Sequence, residues 1–318
     1  MGAFRTGLAL LVVIAHIQMD QAAQVGFSGG AIMAVRAFFL ISGFYMALVL
    51  NGKYRNAIGS FYKNRIYRLY PLYLLILVIT LVIYPFLLGI SRISENWGAL
   101  FSSDRDWLAL WLVFSNFTFF GLQSAALLCV NLGKGAYALV EGGRCAAGGI
   151  SLNAFTIVGQ AWTLGLEVLF YLIAPFILRR GPYPVVVLLI VALIGKITIT
   201  ALGWTVWPYD RHMFPLELVF FLGGSAAYFF YRWVSEMPMN RNFLLLILFF
   251  VFYLVIIYTI YFASLFYSPS YYYSKKIILD IFVDLMFFSI LVFLIPFVFI
   301  LWGPLKMPSR GVDRVRWG

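Results

Sequence analysis

The sequence predicts an all-α fold, a polytopic bundle of about eight transmembrane helices. Of its 318 residues, 63% are hydrophobic and only 11% are charged, whereas a soluble domain is nearer half apolar and a quarter charged. The apolar runs are long and unbroken, and they lack the polar–apolar alternation of a membrane β-barrel. The net charge of +11 therefore indicates anchoring at one membrane face rather than nucleic-acid binding.

Eight segments are predicted to span the membrane because each is apolar over roughly the length that a crossing needs. They cover residues 4–19, 32–50, 69–90, 160–178, 184–203, 214–232, 243–263 and 277–302. The first segment, with Arg5 ahead of a short apolar run, also fits a secretory signal peptide. Residues 123–159 are rich in Gly and Ala and are predicted to form a long loop.

A weaker apolar stretch, residues 107–122, decides the topology. It is interrupted by Ser115, Asn116 and Thr118. If it does not cross and the N-terminus is inside, about twice as many Lys and Arg residues lie on the inner side as on the outer side; if it crosses, the two sides are almost equal. The positive-inside rule therefore favours eight spans with both ends cytoplasmic, and a helix at 107–122 that lies in, or dips into, the outer face.

The two cysteines, Cys129 and Cys145, fall in the same predicted outer loop. In an oxidising compartment such a pair can form a disulfide that closes a loop of about 15 residues. Two unpaired small residues in a Gly- and Ala-rich loop are an equally good interpretation. With only these cysteines and two histidines in the chain, the sequence shows no metal-ligand cluster.

His16 and Glu167 are ionisable residues inside predicted spans, where such groups are costly and usually functional. At about 1.5 Å per residue, His16 lies roughly 16 Å from Arg5, and Glu167 lies roughly 18 Å from Arg179 at the inner face. The two side chains can therefore reach similar depths on different spans. We expect a hydrogen-bonded pair in which Glu167 orients the imidazole; alternatively, each side chain hydrogen-bonds a backbone carbonyl of the bundle.

A basic cluster within residues 61–75 precedes a long apolar run. Arg65 and Arg68 are three residues apart, so a helix places both guanidinium groups on one face. Two such groups suit a phosphate-bearing ligand, although positive-inside anchoring is the simpler explanation. Arg36, near the outer end of its span, either takes part in a site or snorkels outward. Residues 210–212, which are Asp, Arg and His at the outer end of a helix, are predicted to be solvated.

Several motifs, taken in order, resemble the acyltransferase-3 family of bacterial integral membrane O-acyltransferases. Arg5 precedes His16 by eleven residues, and the sequence FFLISGF at 38–44 is close to the family's FFxxSGF. Arg65 and Arg68 form an RxxR pattern that YPLY follows at 70–73. Further matches are AWTLGLEVLFY at 161–171 and FPLELVFFLG at 214–223. The order of the motifs makes the match specific, and it argues against a signal peptide, whose cleavage would remove His16.

The resemblance implies transfer of an acyl group, usually acetyl, from a cytoplasmic coenzyme A thioester to a sugar hydroxyl of a cell-surface or exported glycan. It implies a multi-pass protein of the bacterial inner membrane, with a cytoplasmic N-terminus and one membrane acyltransferase domain over residues 1–318. The expected donor is acetyl-CoA or another acyl-CoA, with no metal. The expected partners are membrane lipid and the glycan acceptor, and no nucleic acid.

The resemblance also implies roles for individual residues. His16 would act as general base on the acceptor hydroxyl, or as a transient acyl carrier, and Glu167 would orient it. Gly43 would permit close helix approach. The cations expected to hold the coenzyme phosphates on the cytoplasmic side are Arg5, Arg65 and Arg68. The residues expected along the acyl path or on the acceptor side are Ser42, Gly43 and Arg36.

The chain also departs from the family pattern. Family members usually have more than eight spans and a last span with a Ser-Tyr, Tyr and His pattern, so a truncated or altered C-terminus is expected here. Many members carry an acidic residue where this chain has Arg36. A transporter or flippase for an amphiphilic or glycan substrate is the alternative function, although it would favour internal repeats or paired broken helices, which the sequence lacks. A third hypothesis is a fragment that works only in a homo-oligomer or with a partner subunit.

Overall fold

A computed structural model describes residues 28–236 apart from 89–91, 142, 203, 205 and 206, together with Leu10 and Tyr253. Arg5 and His16 lie outside the described residues, as do the predicted spans 4–19, 243–263 and 277–302 except for Leu10 and Tyr253. The described chain is mostly helical. Its α-helices are α1 (Ser28–Asn51), α2 (Ile58–Leu88), α3 (Arg92–Phe101), α4 (Asp106–Thr118), α5 (Leu122–Ala125), α6 (Trp162–Leu178), α7 (Pro182–Ala201), α8 (Tyr209–His212) and α9 (Phe214–Ser235).

Five helices of the described part are long and apolar enough to cross a membrane. Their apolar stretches are Ile32–Asn51, Ile58–Ile83, Gly159–Leu178, Pro182–Ala201 and Phe214–Ser235. They confirm the predicted all-α, multi-pass architecture and the spans predicted at 32–50, 69–90, 160–178, 184–203 and 214–232. Helix α2 begins at Ile58 rather than at the predicted residue 69, because the basic cluster is itself helical and continuous with the apolar run that follows it.

Helices α1 and α9 form the centre of the bundle, with 67% of each apolar stretch buried against 11% for α2 and α7. Small residues allow their close approach. A Cβ added to Gly43 would lie 1.9 Å from the Phe221 carbonyl oxygen, and one added to Gly224 would lie 1.8 Å from the Leu40 carbonyl oxygen. Ser225 donates a hydrogen bond to the Gly43 carbonyl at 3.1 Å. The close helix approach predicted for Gly43 is therefore confirmed.

Hydrogen bonds between helix ends are consistent with spanning helices that run in alternating directions along the chain. The Asn51 amide at the end of α1 donates to the Leu178 carbonyl at the end of α6 at 3.1 Å, and Arg179 donates to the Arg55 carbonyl at 2.6 Å. The opposite end of the bundle carries residues 92–161 between α2 and α6. We name this the outer end, after the predicted topology, and the other the inner end.

Part of the loop predicted at 123–159 is a small antiparallel sheet, so that prediction was wrong. Strands β1 (Leu128–Asn131), β2 (Ala136–Leu139) and β3 (Ile150–Ser151) pair in the order β2-β1-β3. Strands this short carry too few residues to show a clear period-two pattern in the sequence. A disulfide joins Cys129 of β1 to Cys145, with 5.8 Å between the Cα atoms.

Helix α4 has 13 residues, fewer than the roughly 17 that a crossing helix needs. Asn116, one of the polar residues that interrupt its apolar run, is buried and joins α4 to neighbouring parts of the chain. The Asn116 side chain donates to the Phe155 carbonyl at 3.1 Å and accepts from the Ile157 amide at 2.8 Å, while Tyr73 of α2 donates to the Asn116 carbonyl. Asn116 therefore has a structural role in packing α4. The position of α4 in the outer face stays a prediction.

Candidate functional site

Glu167 of α6 lies where α6 faces the middle of α1. Its Oε1 atom accepts a hydrogen bond from Ser42 at 2.7 Å and another from the hydroxyl of Tyr171. Tyr171 is four residues after Glu167, so the two side chains share one face of α6. The structure thus brings together Ser42 and Glu167, which the sequence predicted separately, and adds Tyr171.

Arg65 of α2 lies against Tyr171, the tyrosine that hydrogen-bonds Glu167. The residue is only 7% exposed, and its guanidinium carbon lies 5.5 Å from the ring centroid of Phe61, 5.7 Å from that of Tyr45 and 5.9 Å from that of Tyr171. Its Nε and Nη1 atoms are buried and have no hydrogen-bond partner among the described residues. Aromatic rings stabilise a buried cation only in part, so these N–H groups are suited to a carbonyl or anionic oxygen of a ligand.

Tyr171 connects the two features, because its hydroxyl contacts Glu167 and its ring lies against Arg65. We name Ser42, Arg65, Glu167 and Tyr171 the Glu167 cluster. It draws one side chain or more from each of α1, α2 and α6. Such a set of ionisable and hydroxyl groups, most of them buried, within spanning helices is a strong candidate for a functional site.

Arg65 and Arg68 lie three residues apart on α2, as the sequence predicted, but they have different surroundings. Arg65 is buried among aromatic rings, whereas Arg68 is exposed. A step of three residues rotates the side chain by about 60° from its predecessor's direction. Since α2 contacts the bundle along a narrow strip, that rotation is enough to separate the two. Arg5 and His16, the other residues predicted for this site, lie outside the described residues.

A second group of buried charges lies nearer the outer end. Arg36 of α1 and Lys196 of α7 both contact Glu217 Oε1 of α9, at 3.2 Å and 3.4 Å. The Phe220 ring lies 5.0 Å from the Arg36 guanidinium and 5.2 Å from the Lys196 ammonium. Arg36 also donates to the Asp210 carbonyl at 3.1 Å. We name Arg36, Lys196, Glu217 and Phe220 the Glu217 cluster.

This cluster corrects the interpretation of Arg36 as a snorkelling residue, since Arg36 is only 5% exposed and is paired inside the bundle. Glu217 is fully buried. Its pairing with Arg36 and Lys196 was not predicted, although Glu217 stands in the FPLELVFFLG motif. Three different helices supply the three charges, so no spacing along the chain could reveal the contact.

His212 of α8 is buried, which contradicts the predicted solvation. Its ring lies against Trp162, tilted by 37° with 4.4 Å between the centroids, and Nδ1 has no hydrogen-bond partner in the described part of the chain. Burial lowers the pKa of the His212 imidazole to about 4, although Asp210 acts in the opposite direction. The neighbouring Asp210 and Arg211 form an ion pair at 2.6 Å. Trp162 is distant in sequence, so only the tertiary structure reveals this ring contact.

Among the described residues, no group of three or more His, Cys, Asp or Glu side chains is placed to hold a metal ion. Of the residues that sequence reasoning missed, Tyr171 had a usable signal, because it stands four residues after Glu167 within the AWTLGLEVLFY motif.

A family model described as an acyltransferase domain, Acyl_transf_3, matches residues 2–307. The match covers nearly the whole chain and includes both the Glu167 cluster and the Glu217 cluster. No curated protein and no solved structure matches the chain. The matched model and the five apolar helices agree with the ordered motifs. The chain therefore belongs to the acyltransferase-3 family and is a multi-pass membrane acyltransferase.

Proposed function

We propose that this protein moves an acyl group, acetyl in the first instance, from cytoplasmic acyl-CoA to a sugar hydroxyl of a cell-surface or exported glycan. It would do so in the bacterial inner membrane, with its N-terminus in the cytoplasm. One observation carries the proposal: two N–H groups of the buried Arg65 have no hydrogen-bond partner among the described residues, and Arg65 lies against the ring of Tyr171, whose hydroxyl joins that of Ser42 in holding the Glu167 carboxylate.

Arg65 and Arg68 would bind the donor. A guanidinium group binds phosphate or carbonyl oxygen through paired N–H donors. The buried Arg65 suits an oxygen that enters the bundle, and the exposed Arg68 suits a phosphate that stays at its surface. Arg5 would add a third cation on the same inner side, as the RxxR and first-span motifs of the family imply.

The transfer step would take place at the Glu167 cluster. The acceptor hydroxyl attacks the thioester carbonyl, so that a carbon–oxygen bond forms, the carbon–sulfur bond breaks, and coenzyme A leaves as its thiol. His16 would accept the hydroxyl proton, or carry the acyl group transiently, with Glu167 as its orienting partner. Ser42, which contacts Glu167 directly, would line the acyl path, whereas Gly43 packs against α9.

The acceptor would approach from the outer end. Arg36 lies on this side of the Glu167 cluster and is tied to α8 through the Asp210 carbonyl. The Glu217 cluster holds α1, α7 and α9 together there. It would therefore support the acceptor side of the site.

The test is transfer of label from acetyl-CoA to surface glycans in membranes that hold equal amounts of the native chain or the His16→Ala variant. Arg232→Ala, which alters an exposed ion pair with Glu236, is the control and should transfer normally. Label that the native chain incorporates and His16→Ala does not would support both the reaction and the residue. Equal labelling by the two would remove His16 from the mechanism.

A transporter or flippase remains the second candidate, since buried charges on spanning helices also occur in such proteins. The two buried clusters, at different positions along the bundle, are the observation that favours it. It predicts movement of an amphiphile or glycan across proteoliposomes without covalent change. Label transfer by the native chain would exclude transport as its sole activity.

A further inference from the structure

Tyr171 contacts both halves of the Glu167 cluster. It is 6% exposed. Its hydroxyl donates to Glu167 Oε1, and its ring lies 5.9 Å from the guanidinium carbon of Arg65. The ring also meets Phe61 edge to face, with 6.3 Å between the centroids. The Tyr171 side chain therefore links the Glu167 carboxylate of α6 to the Arg65 guanidinium of α2.

The two contacts use different parts of the side chain. The ring forms one wall around Arg65, together with Tyr45 and Phe61, and a phenylalanine ring would serve the same purpose. The hydroxyl and Ser42 both donate to the same oxygen of Glu167. Two donors from different helices restrict the direction of the carboxylate more than one donor does, and small errors in such a direction are costly in catalysis.

We propose that Tyr171 is a positioning residue with two separable roles. Its ring shapes the Arg65 site for the acyl-CoA donor, and its hydroxyl holds the Glu167 carboxylate in the direction that the transfer step needs. This inference rests on the proposed function and deepens it. It predicts that donor binding depends on the ring and turnover on the hydroxyl.

Two substitutions separate the roles. Tyr171→Phe keeps the ring against Arg65 and removes the hydroxyl from Glu167. Tyr171→Leu removes both. The matched control is Tyr62→Phe, because the Tyr62 hydroxyl also bonds from α2 to α6, donating to the Leu172 carbonyl at 3.0 Å, yet it contacts no member of the Glu167 cluster through that bond.

Two measurements on purified full-length protein are needed. Calorimetric titration with coenzyme A measures donor binding without any acceptor. Labelled acetyl transfer at varied acetyl-CoA concentration measures kcat and KM for the donor. We expect Tyr171→Phe to lower kcat about tenfold or more while the coenzyme A Kd and the donor KM stay within about twofold. Tyr171→Leu should also raise the Kd about tenfold, and Tyr62→Phe should match the native chain in both measurements.

The split between kcat and KM distinguishes positioning from mere packing, because general loosening of the α2–α6 contact would affect the control as well. The inference is overturned if Tyr171→Phe keeps native kcat, or if it loses coenzyme A binding as Tyr171→Leu does. If Tyr171→Leu does not fold, the comparison of Tyr171→Phe with Tyr62→Phe still decides. A native chain that neither binds coenzyme A nor transfers acetyl would instead overturn the proposed function, and this inference with it.

Discussion

Glu167 and Glu217 both lie within spanning helices of the described bundle, but their partners are of opposite kinds. Glu217 is contacted directly by two cations, Arg36 at 3.2 Å and Lys196 at 3.4 Å. Glu167 accepts hydrogen bonds from two neutral hydroxyls, those of Ser42 and Tyr171. Arg65, the cation of the same cluster, contacts the Tyr171 ring, and its Nε and Nη1 atoms have no hydrogen bond within the described part of the chain.

This difference indicates different tasks. In the Glu217 cluster, two cations pair with Glu217 Oε1 and so join α1, α7 and α9, which is what a structural ion pair between helices does. In the Glu167 cluster, two N–H groups of Arg65 have no hydrogen-bond partner among the described residues, and two hydroxyls rather than a cation hold the carboxylate. An ionisable group that is buried but not internally paired is the stronger indicator of a binding or catalytic role.

The largest expected effect is on stability, at the Glu217 cluster. Glu217→Ala leaves Arg36 and Lys196 buried without their shared carboxylate, and breaking such a pair costs about 3–5 kcal/mol. Thermal unfolding in detergent should show a large decrease in the midpoint. Glu236→Ala is the control, because Glu236 belongs to an exposed ion pair and should change the midpoint little. Equal midpoints for the two variants would show that the Glu217 cluster is not structural.

The next effect is on turnover, at Glu167. Glu167→Gln keeps an oxygen that Ser42 and Tyr171 can donate to, so the fold should persist, but it removes the carboxylate charge. Labelled acetyl transfer should fall about 100-fold with little change in the unfolding midpoint. Glu236→Gln, at the exposed pair, provides a matched control. A variant that transfers normally, or unfolds as readily as Glu217→Ala, would remove the distinction between the two glutamates.

A smaller effect is expected on donor binding. Arg65→Lys keeps the positive charge but loses the forked donors, so coenzyme A should bind about tenfold more weakly. Arg36→Lys makes the same change in the Glu217 cluster and should leave coenzyme A binding unchanged while lowering the unfolding midpoint. Calorimetric titration of both variants checks this. Equal losses of affinity would mean that the two clusters do not divide the roles as we infer.

The smallest effect concerns pH at the outer end. The pKa of the His212 imidazole is lowered by burial to about 4 from its ordinary value of 6.5. As the pH falls below about 6.5, the unfolded chain therefore gains a proton that the native site excludes until about pH 4. The native state should lose about 1 kcal/mol between about pH 7.5 and about pH 5.5. Unfolding of the native chain and of His212→Gln, followed at both values, should show a smaller loss in the variant; equal losses would contradict it.

The amino-acid sequence was sufficient for the class of protein and for much of the candidate site. Long apolar runs predicted five spans that the structure confirms, because a helix that crosses lipid must be apolar along its whole length. The motif order predicted the family. Ser42, Glu167 and Arg65 were predicted from local patterns, and the structure brings all three into one cluster.

What the sequence alone determined, then, was the family, the all-α class and the five spans that the structure confirms, because apolar length and motif order are read along one helix at a time. Only the tertiary structure decided that Arg65 is buried while Arg68 is exposed, that Arg36 pairs with Glu217, and that the His212 ring packs against Trp162. The physical reason is the same in each case. The rotation of one helix about its axis, and the neighbour that this rotation selects, depend on packing between helices that are distant in sequence.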